Sequence, residues 1–165
     1  MDPSTTVLLA EDSPDDALLM QRAFKAQGLT NPLRIVSDGA EAIAYLAGEG
    51  VFANRVEYPY PHLVILDLKM PRVTGFEVLE WLHARPDMMI IPTLVWSSSA
   101  DARDVRHAYC LGANGYLVKP TDFQQFKQML SDVFRFWDHC QKPAPNLPPR
   151  CRDVLDGKRV FGTGA

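Results

Sequence analysis

The sequence predicts an α/β domain: a doubly wound, five-stranded parallel sheet with helices on both faces. Three observations carry that expectation. Five short apolar runs alternate with five stretches of helical periodicity, and helix-length crossovers imply parallel pairing. The third run, Leu63-Val64-Ile65-Leu66 within His62–Pro71, is apolar without alternation, as in a strand buried on both faces. Four of the five runs end on charged or hydroxyl-bearing residues, at the edge where parallel sheets gather ligands and chemistry.

Taken in order, Thr5–Ala10 is the first strand and ends on Glu11-Asp12. Ser13 suits the N-cap of a first helix and Pro14 its first position, with Asp15 and Asp16 complementing the dipole. Leu18, Leu19, Arg22, Ala23 and Ala26 carry its period to a stop at Gly28. Leu33–Val36 is a second strand, and Asp38–Gly48 a second helix with Ala40, Ile43, Ala44 and Ala47 facing in. A polar and aromatic connection, Glu49–Pro61, is long for an α/β unit; it reads as an insertion in preference to a lid. After the central strand, Pro71–Gly75 is a loop and Phe76–Ala84 a third helix closed by Pro86. Ile90–Trp96 is a fourth strand running into Ser97-Ser98-Ser99, and Asp101–Leu111 a fourth helix stopped by Gly112. Tyr116–Val118 is a fifth strand ending on Lys119-Pro120, and Asp122–Cys140 a long fifth helix. Met88-Met89 reads as core filler. One domain therefore spans residues 1–141, followed by a proline-rich arm over 142–165.

Composition narrows the class. A net charge of −3 gives no reason to expect binding to nucleic acid or a membrane surface. No apolar run approaches the roughly 18 residues a membrane span needs, so the default location is cytoplasmic. Cys110, Cys140 and Cys151 lack metal-ligand spacing and read as free thiols, and the four histidines as scattered surface residues.

The strand ends carry the chemistry. Asp67, an acid where an apolar strand stops, is by itself a metal ligand, a nucleophile or a helix cap. In a parallel sheet, however, Glu11, Asp12, Asp67, Ser97 and Lys119 share one edge. Three crowded carboxylates raise one another's pKa unless a cation neutralises them. Oxygen-only donors suit a hard ion such as Mg²⁺, which takes few protein carboxylates. A lysine and a hydroxyl beside that ion supply what phosphoryl oxygens need, with Asp67 as nucleophile forming an aspartyl-phosphate.

This set — Glu11-Asp12, Asp67 with Pro71 and Gly75, Ser97, and Lys119-Pro120 — resembles the response-regulator receiver domain of two-component signalling, over about Val7 to Cys140. The resemblance implies a flavodoxin-like receiver fold and a signalling protein in place of an enzyme with a separate substrate. It implies phosphoryl transfer from a sensor histidine kinase to Asp67. By the same resemblance, Glu11, Asp12, Asp67 and the Lys69 backbone carbonyl hold Mg²⁺, Lys119 pairs with the phosphoryl group, and Ser97 and Tyr116 form the switch. The segment Leu111–Ala113 also fits the family. Ser97 lacks the methyl of the family's usual threonine, and Trp96 before it is larger than usual, so packing behind the switch is expected to differ. A narrower likeness is to the small stand-alone regulators that serve bacterial phytochromes, through the long segment before the third strand, the Phe136-Trp137 pair and the lack of an output domain.

The alternative is a Mg²⁺-dependent hydrolase of the haloacid-dehalogenase type, which also uses an aspartate nucleophile and a lysine. That class carries its nucleophile on the first strand in a DxD arrangement, whereas here that strand ends Glu11-Asp12-Ser13. On the fifth helix, Phe123, Phe126, Leu130, Val133, Phe134 and Trp137 make one stripe, which Met129 and Phe136 widen. With Arg103, Arg106, His107 and Tyr109 of helix four as a polar rim, this predicts a homodimer through helix four, strand five, helix five and the tail.

Overall fold

The computed structural model describes residues 5–141; the predicted arm over 142–165, with Cys151, lies outside the described residues. Five parallel strands, β1 (Val7–Ala10), β2 (Leu33–Val36), β3 (Leu63–Leu66), β4 (Thr93–Ser97) and β5 (Gly115–Val118), lie in the order β2-β1-β3-β4-β5. Five helices connect or follow them: α1 (Pro14–Ala26), α2 (Gly39–Ala47), α3 (Gly75–His83), α4 (Ala102–Cys110) and α5 (Phe123–His139). The chain runs outward from β1 to β2, then crosses back to β3. That reversal opens a crevice at the carboxyl ends of β1 and β3.

Side chains alternate across the sheet and divide the core in two. Leu8, Ala10, Val64, Leu66 and Val95 face α2, α3 and Ala108 of α4. Val7, Leu9, Leu63, Ile65 and Trp96 face α1 and α5, meeting Met20, Phe24, Phe126, Leu130 and Phe134. Full burial of each large aliphatic side chain contributes about 1.5–3 kcal/mol, so the two layers carry the fold.

Local chemistry places the helix starts. Ser13, Asp38, Thr74, Asp101 and Asp122 are the N-caps, each accepting a backbone N–H with its side chain. Four expected starts shift accordingly: Asp38, Asp101 and Asp122 cap their helices from outside, while α3 begins earlier, at Gly75. There Thr74 and Glu77 form a reciprocal capping box. The fourth strand is shorter than expected at its start, because Arg85–Ile91 coils into successive turns before Pro92. Ile90 and Met89 are consequently exposed, and only Met88 of the methionine pair packs on the core.

The structure also sets the rotation of the first two helices, and on α2 it corrects the expected inward face. On α1 the buried residues are Met20, Ala23 and Phe24, while Leu18, Arg22 and Ala26 are exposed. On α2 they are Gly39, Ala42, Tyr45 and Leu46; Ala40, Ile43, Ala44 and Ala47 are half-buried. The α2 correction is a helix rotation, which periodicity alone leaves undetermined.

The connection over 49–61 contains a 3-10 turn, Gly50–Ala53, and packs onto the end of α2. Tyr45, Phe52 and Tyr58 form a cluster with ring centroids 5.2–6.1 Å apart. The Arg55 guanidinium donates to the carbonyls of Tyr45 and Leu46 at 2.7 and 2.8 Å, capping α2. The segment enters β3 at its amino end, the edge of the sheet opposite the acidic crevice. It packs against the carboxyl end of α2. His62, which follows it, is no plain surface residue: its Nδ1 accepts the Thr6 N–H at 3.3 Å and ties β3 to β1.

Candidate functional site

The register brings the predicted site together. Ala10 pairs with Leu66, so Glu11 and Asp67 leave neighbouring strands at the same level. The Asp67 N–H donates to Ala10 O at 3.0 Å, and the Glu11 N–H to Val36 O at 3.0 Å. Ser97 pairs with Val118, and the Lys119 N–H donates to Ser97 O at 2.8 Å, which sets the lysine on the same edge. Glu11, Asp12 and Asp67 each present an oxygen within 4.8 Å of the others. Glu11 and Asp67 are buried and Asp12 is exposed.

Lys119 reaches into this cluster. Its Nζ lies 2.7 Å from Glu11 Oε2, 2.8 Å from Asp16 Oδ2 and 3.7 Å from Asp67 Oδ2. Burial alone would lower its pKa, but the hydrogen bonds to Asp16 and Glu11 and the charge of Asp67 hold it above the ordinary lysine value. The Glu11 carboxyl is also raised, which for an acid disfavours the charged form. Burial pushes its pKa up to about 7, Asp67 adds to this, and Lys119 with the Ser13 N–H only partly oppose it. The carboxylates are thus only partly neutralised by the protein's own cation. An all-oxygen cluster of this kind, with one ligand open to solvent, fits a hard divalent ion.

The loop after β3 is held from both sides. Asp67 Oδ1 accepts the Leu68 N–H at 2.8 Å. The α3 start presses on the Asp67 backbone so closely that a side chain at Gly75 would collide with the Asp67 carbonyl, which is why glycine stands eight residues after the acid. Arg72 adopts a left-handed φ of 65° within a turn closed by the Val73 N–H and Pro71 O at 2.7 Å. Its guanidinium pairs with Asp38, the buried N-cap of α2. The exposed Lys69 side chain belongs to this loop, two residues beyond Asp67.

Ser97 is fully buried, and its hydroxyl accepts the Ser99 N–H at 3.3 Å. Tyr116 donates from its hydroxyl to Ser99 O at 2.9 Å; burial raises its pKa, with hydrogen bonds to Ser97 and Ser99 opposing. Ser99 Oγ donates to Asp104 at 2.5 Å and also accepts the Asp101 N–H at 3.3 Å. Ser99 is therefore the joint between Tyr116, β4 and α4. Trp96 is buried, stacked on Phe126 at 5.1 Å and 16°, with Lys119 Nζ 4.6 Å from its ring centroid. Sequence reasoning missed the Asp16–Lys119 pair. Asp16 had a sufficient local role at the start of α1, and nothing local announces a partner 103 residues away.

The comparisons agree with this geometry. The family model for the response regulator receiver domain matches residues 7–131. "Response regulator Rcp1" of Synechocystis sp. is 35% identical over 135 residues, covering 82% of this chain and 90% of that protein. The phosphorylated cyanobacterial phytochrome response regulator RcpA superposes with a TM-score of 0.79 at 33% identity, covering 86% of this chain and 99% of that one. The Mn²⁺-bound form of Rcp1 superposes with a TM-score of 0.77 at 34% identity, covering 85% and 99%. The hydrolase alternative is left without support, since the acid in question ends the third strand of a receiver fold. With the family model running from β1 into α5 and the same sheet shared with phytochrome-linked regulators, the chain belongs to the response regulator receiver domain family, the phosphoacceptor modules that work with histidine kinases.

Proposed function

We propose that Asp67 accepts a phosphoryl group from the phosphohistidine of a sensor histidine kinase and that the chain signals by protein–protein contact. The observation that carries the reading is Lys119 Nζ set between Glu11 and Asp67, 2.7 and 3.7 Å from their carboxylates, beside an acidic cluster that fits a divalent ion. Glu11, Asp12, Asp67 and the Lys69 carbonyl would hold that ion, which we take to be Mg²⁺. When bound, it supplies positive charge that screens the carboxylates from the incoming phosphoryl oxygens. Asp67 attacks phosphorus as the P–N bond of the phosphohistidine breaks, and the imidazole leaves. Lys119 pairs with the phosphoryl oxygens. Ser97 donates its hydroxyl to them, releasing space into which Tyr116 moves.

The finer partner readings are proposals as well. The kinase is a bacterial phytochrome, a reading supported by the similarity to the cyanobacterial phytochrome response regulator RcpA and by the long segment over 49–61. Residues 1–141 form the receiver unit, and 142–165 an arm. The chain pairs with a second copy through α4, β5 and α5, where Phe136 is 62% exposed beside the α5 stripe.

Incubation of the full chain with Mg²⁺ and acetyl phosphate, followed by intact mass, tests the phosphoacceptor role. A single phosphoryl mass is expected in wild type and none in Asp67→Asn. A wild type that gains no mass where a control receiver does overturns the reading.

A further inference from the structure

Lys119 has its two short contacts with carboxylates other than the acceptor. Glu11 and Asp16 lie at 2.7 and 2.8 Å, while Asp67 stands off at 3.7 Å. Asp16 is the third residue of α1, and its own N–H donates to the Ser13 cap at 3.3 Å, so the first turn aims its side chain at the lysine. Under the ammonium lies the Trp96 ring, 4.6 Å from Nζ to centroid and fixed flat against Phe126. A cation over an aromatic face is attracted within about 6 Å of the centroid, so a shift of about 1 Å from its present 4.6 Å stays in range. The ammonium can therefore pass from Asp16 toward Asp67 without leaving the indole.

A phosphoryl group places roughly −1.5 to −2 charges beside Asp67, against the single charge of Asp16. Asp16 is a third exposed, so its hold on the lysine is partly screened. The balance between the two partners then changes sides on phosphorylation. We infer that Asp16 is a positioning residue that holds Lys119 off Asp67 in the unphosphorylated protein, so that phosphoryl binding proceeds against this ion pair. The inference rests on the reading of Asp67 as phosphoacceptor. Asp15, exposed and one residue earlier in the same turn, carries the same charge and the same dipole role. It supplies the control.

The test titrates the full chain with beryllofluoride at saturating Mg²⁺, comparing wild type, Asp16→Asn and Asp15→Asn, and follows the Lys119 ε-methylene signal by NMR before beryllofluoride is added. Asp16→Asn is expected to bind beryllofluoride about two- to fivefold more tightly than Asp15→Asn, the range set by a partly exposed ion pair. Its Lys119 signal before ligand should already be displaced toward the position that wild type reaches with beryllofluoride, while that of Asp15→Asn stays put. Equal affinities in the two variants overturn the inference. A gain without the Lys119 displacement is a general charge effect and overturns it too. A wild type that binds no beryllofluoride overturns the phosphoacceptor reading and this inference with it.

Discussion

Glu11 ties the site's electrostatics to a measurable pH response. Its carboxyl titrates near 7 in the fold and at 4.5 in the reference state, so the folded protein holds this proton more tightly. The stabilisation is complete below about 4.5 and is lost as pH rises to about 7, the reverse of a salt-bridged carboxylate. A divalent ion must displace that proton. The rise in melting temperature on adding Mg²⁺ should therefore grow between pH 6 and 8, and Glu11→Gln should flatten that pH dependence; melts with Mg²⁺ or chelator decide. Asp12→Ala should lose most Mg²⁺ affinity and slow phosphorylation at limiting Mg²⁺, because it removes one of few ligands. Isothermal titration and labelling rates check it. Ser97→Ala should still accept phosphate on Asp67 while the Tyr116 ring signals stop responding, since the buried hydroxyl is the group expected to move. Matching phosphorylation shifts in mutant and wild type would remove Ser97 from the switch.

At the scale of elements, the acceptor loop is positioned by contacts that cross the crevice. Asp38 caps α2 through the Glu41 N–H at 2.8 Å and also receives Arg72 from the loop after β3. Asp38→Ala loses both, and a destabilisation of about 2 kcal/mol is expected, roughly half from the cap and half from the pair. Arg72→Ala should cost less, since its end of the pair is exposed. Urea midpoints order the two variants, and equal costs would mean that the cap contributes nothing beyond the pair. The misjudged face of α2 and the rotation of α1 belong here too. Leu18 and Arg22 sit at helical spacing as surely as Met20 and Phe24 do, and only the sheet's position selects between those rotations.

For the whole molecule, α5 is the element left incompletely covered. Phe126, Leu130 and Phe134 seat it on the sheet; Phe123, Val133 and Trp137 pack at the margin, and Phe136 remains exposed. Arg103, Arg106, His107 and Tyr109 of α4 are exposed as well. Phe136→Asp should shift a dimer toward monomer in sedimentation at micromolar concentration, and truncation after Gln141 should weaken it further. Monomeric wild type at high micromolar concentration, phosphorylated or not, would rule the pairing out.

The sequence by itself determined the strand and helix order, the carboxyl-end positions of Glu11, Asp12, Asp67, Ser97 and Lys119, and the exposed Phe136. Those features follow from short-range rules: apolar run length, capping residues, and the fact that parallel strands end on one edge. Only the tertiary structure decided which faces of α1 and α2 turn inward, that Arg55 closes α2, that Arg72 reaches Asp38, and that Lys119 lies on Trp96 between Asp16 and Asp67. The Arg72–Asp38 and Asp16–Lys119 pairings join residues far apart in the chain, 103 residues in the second case. They depend on the β2-β1-β3-β4-β5 order, which sets β1 beside β3 and brings the start of α1 next to the end of β5. Local periodicity says that a residue lies on a helix or at a strand end; the partner across the crevice exists only once the sheet has assembled.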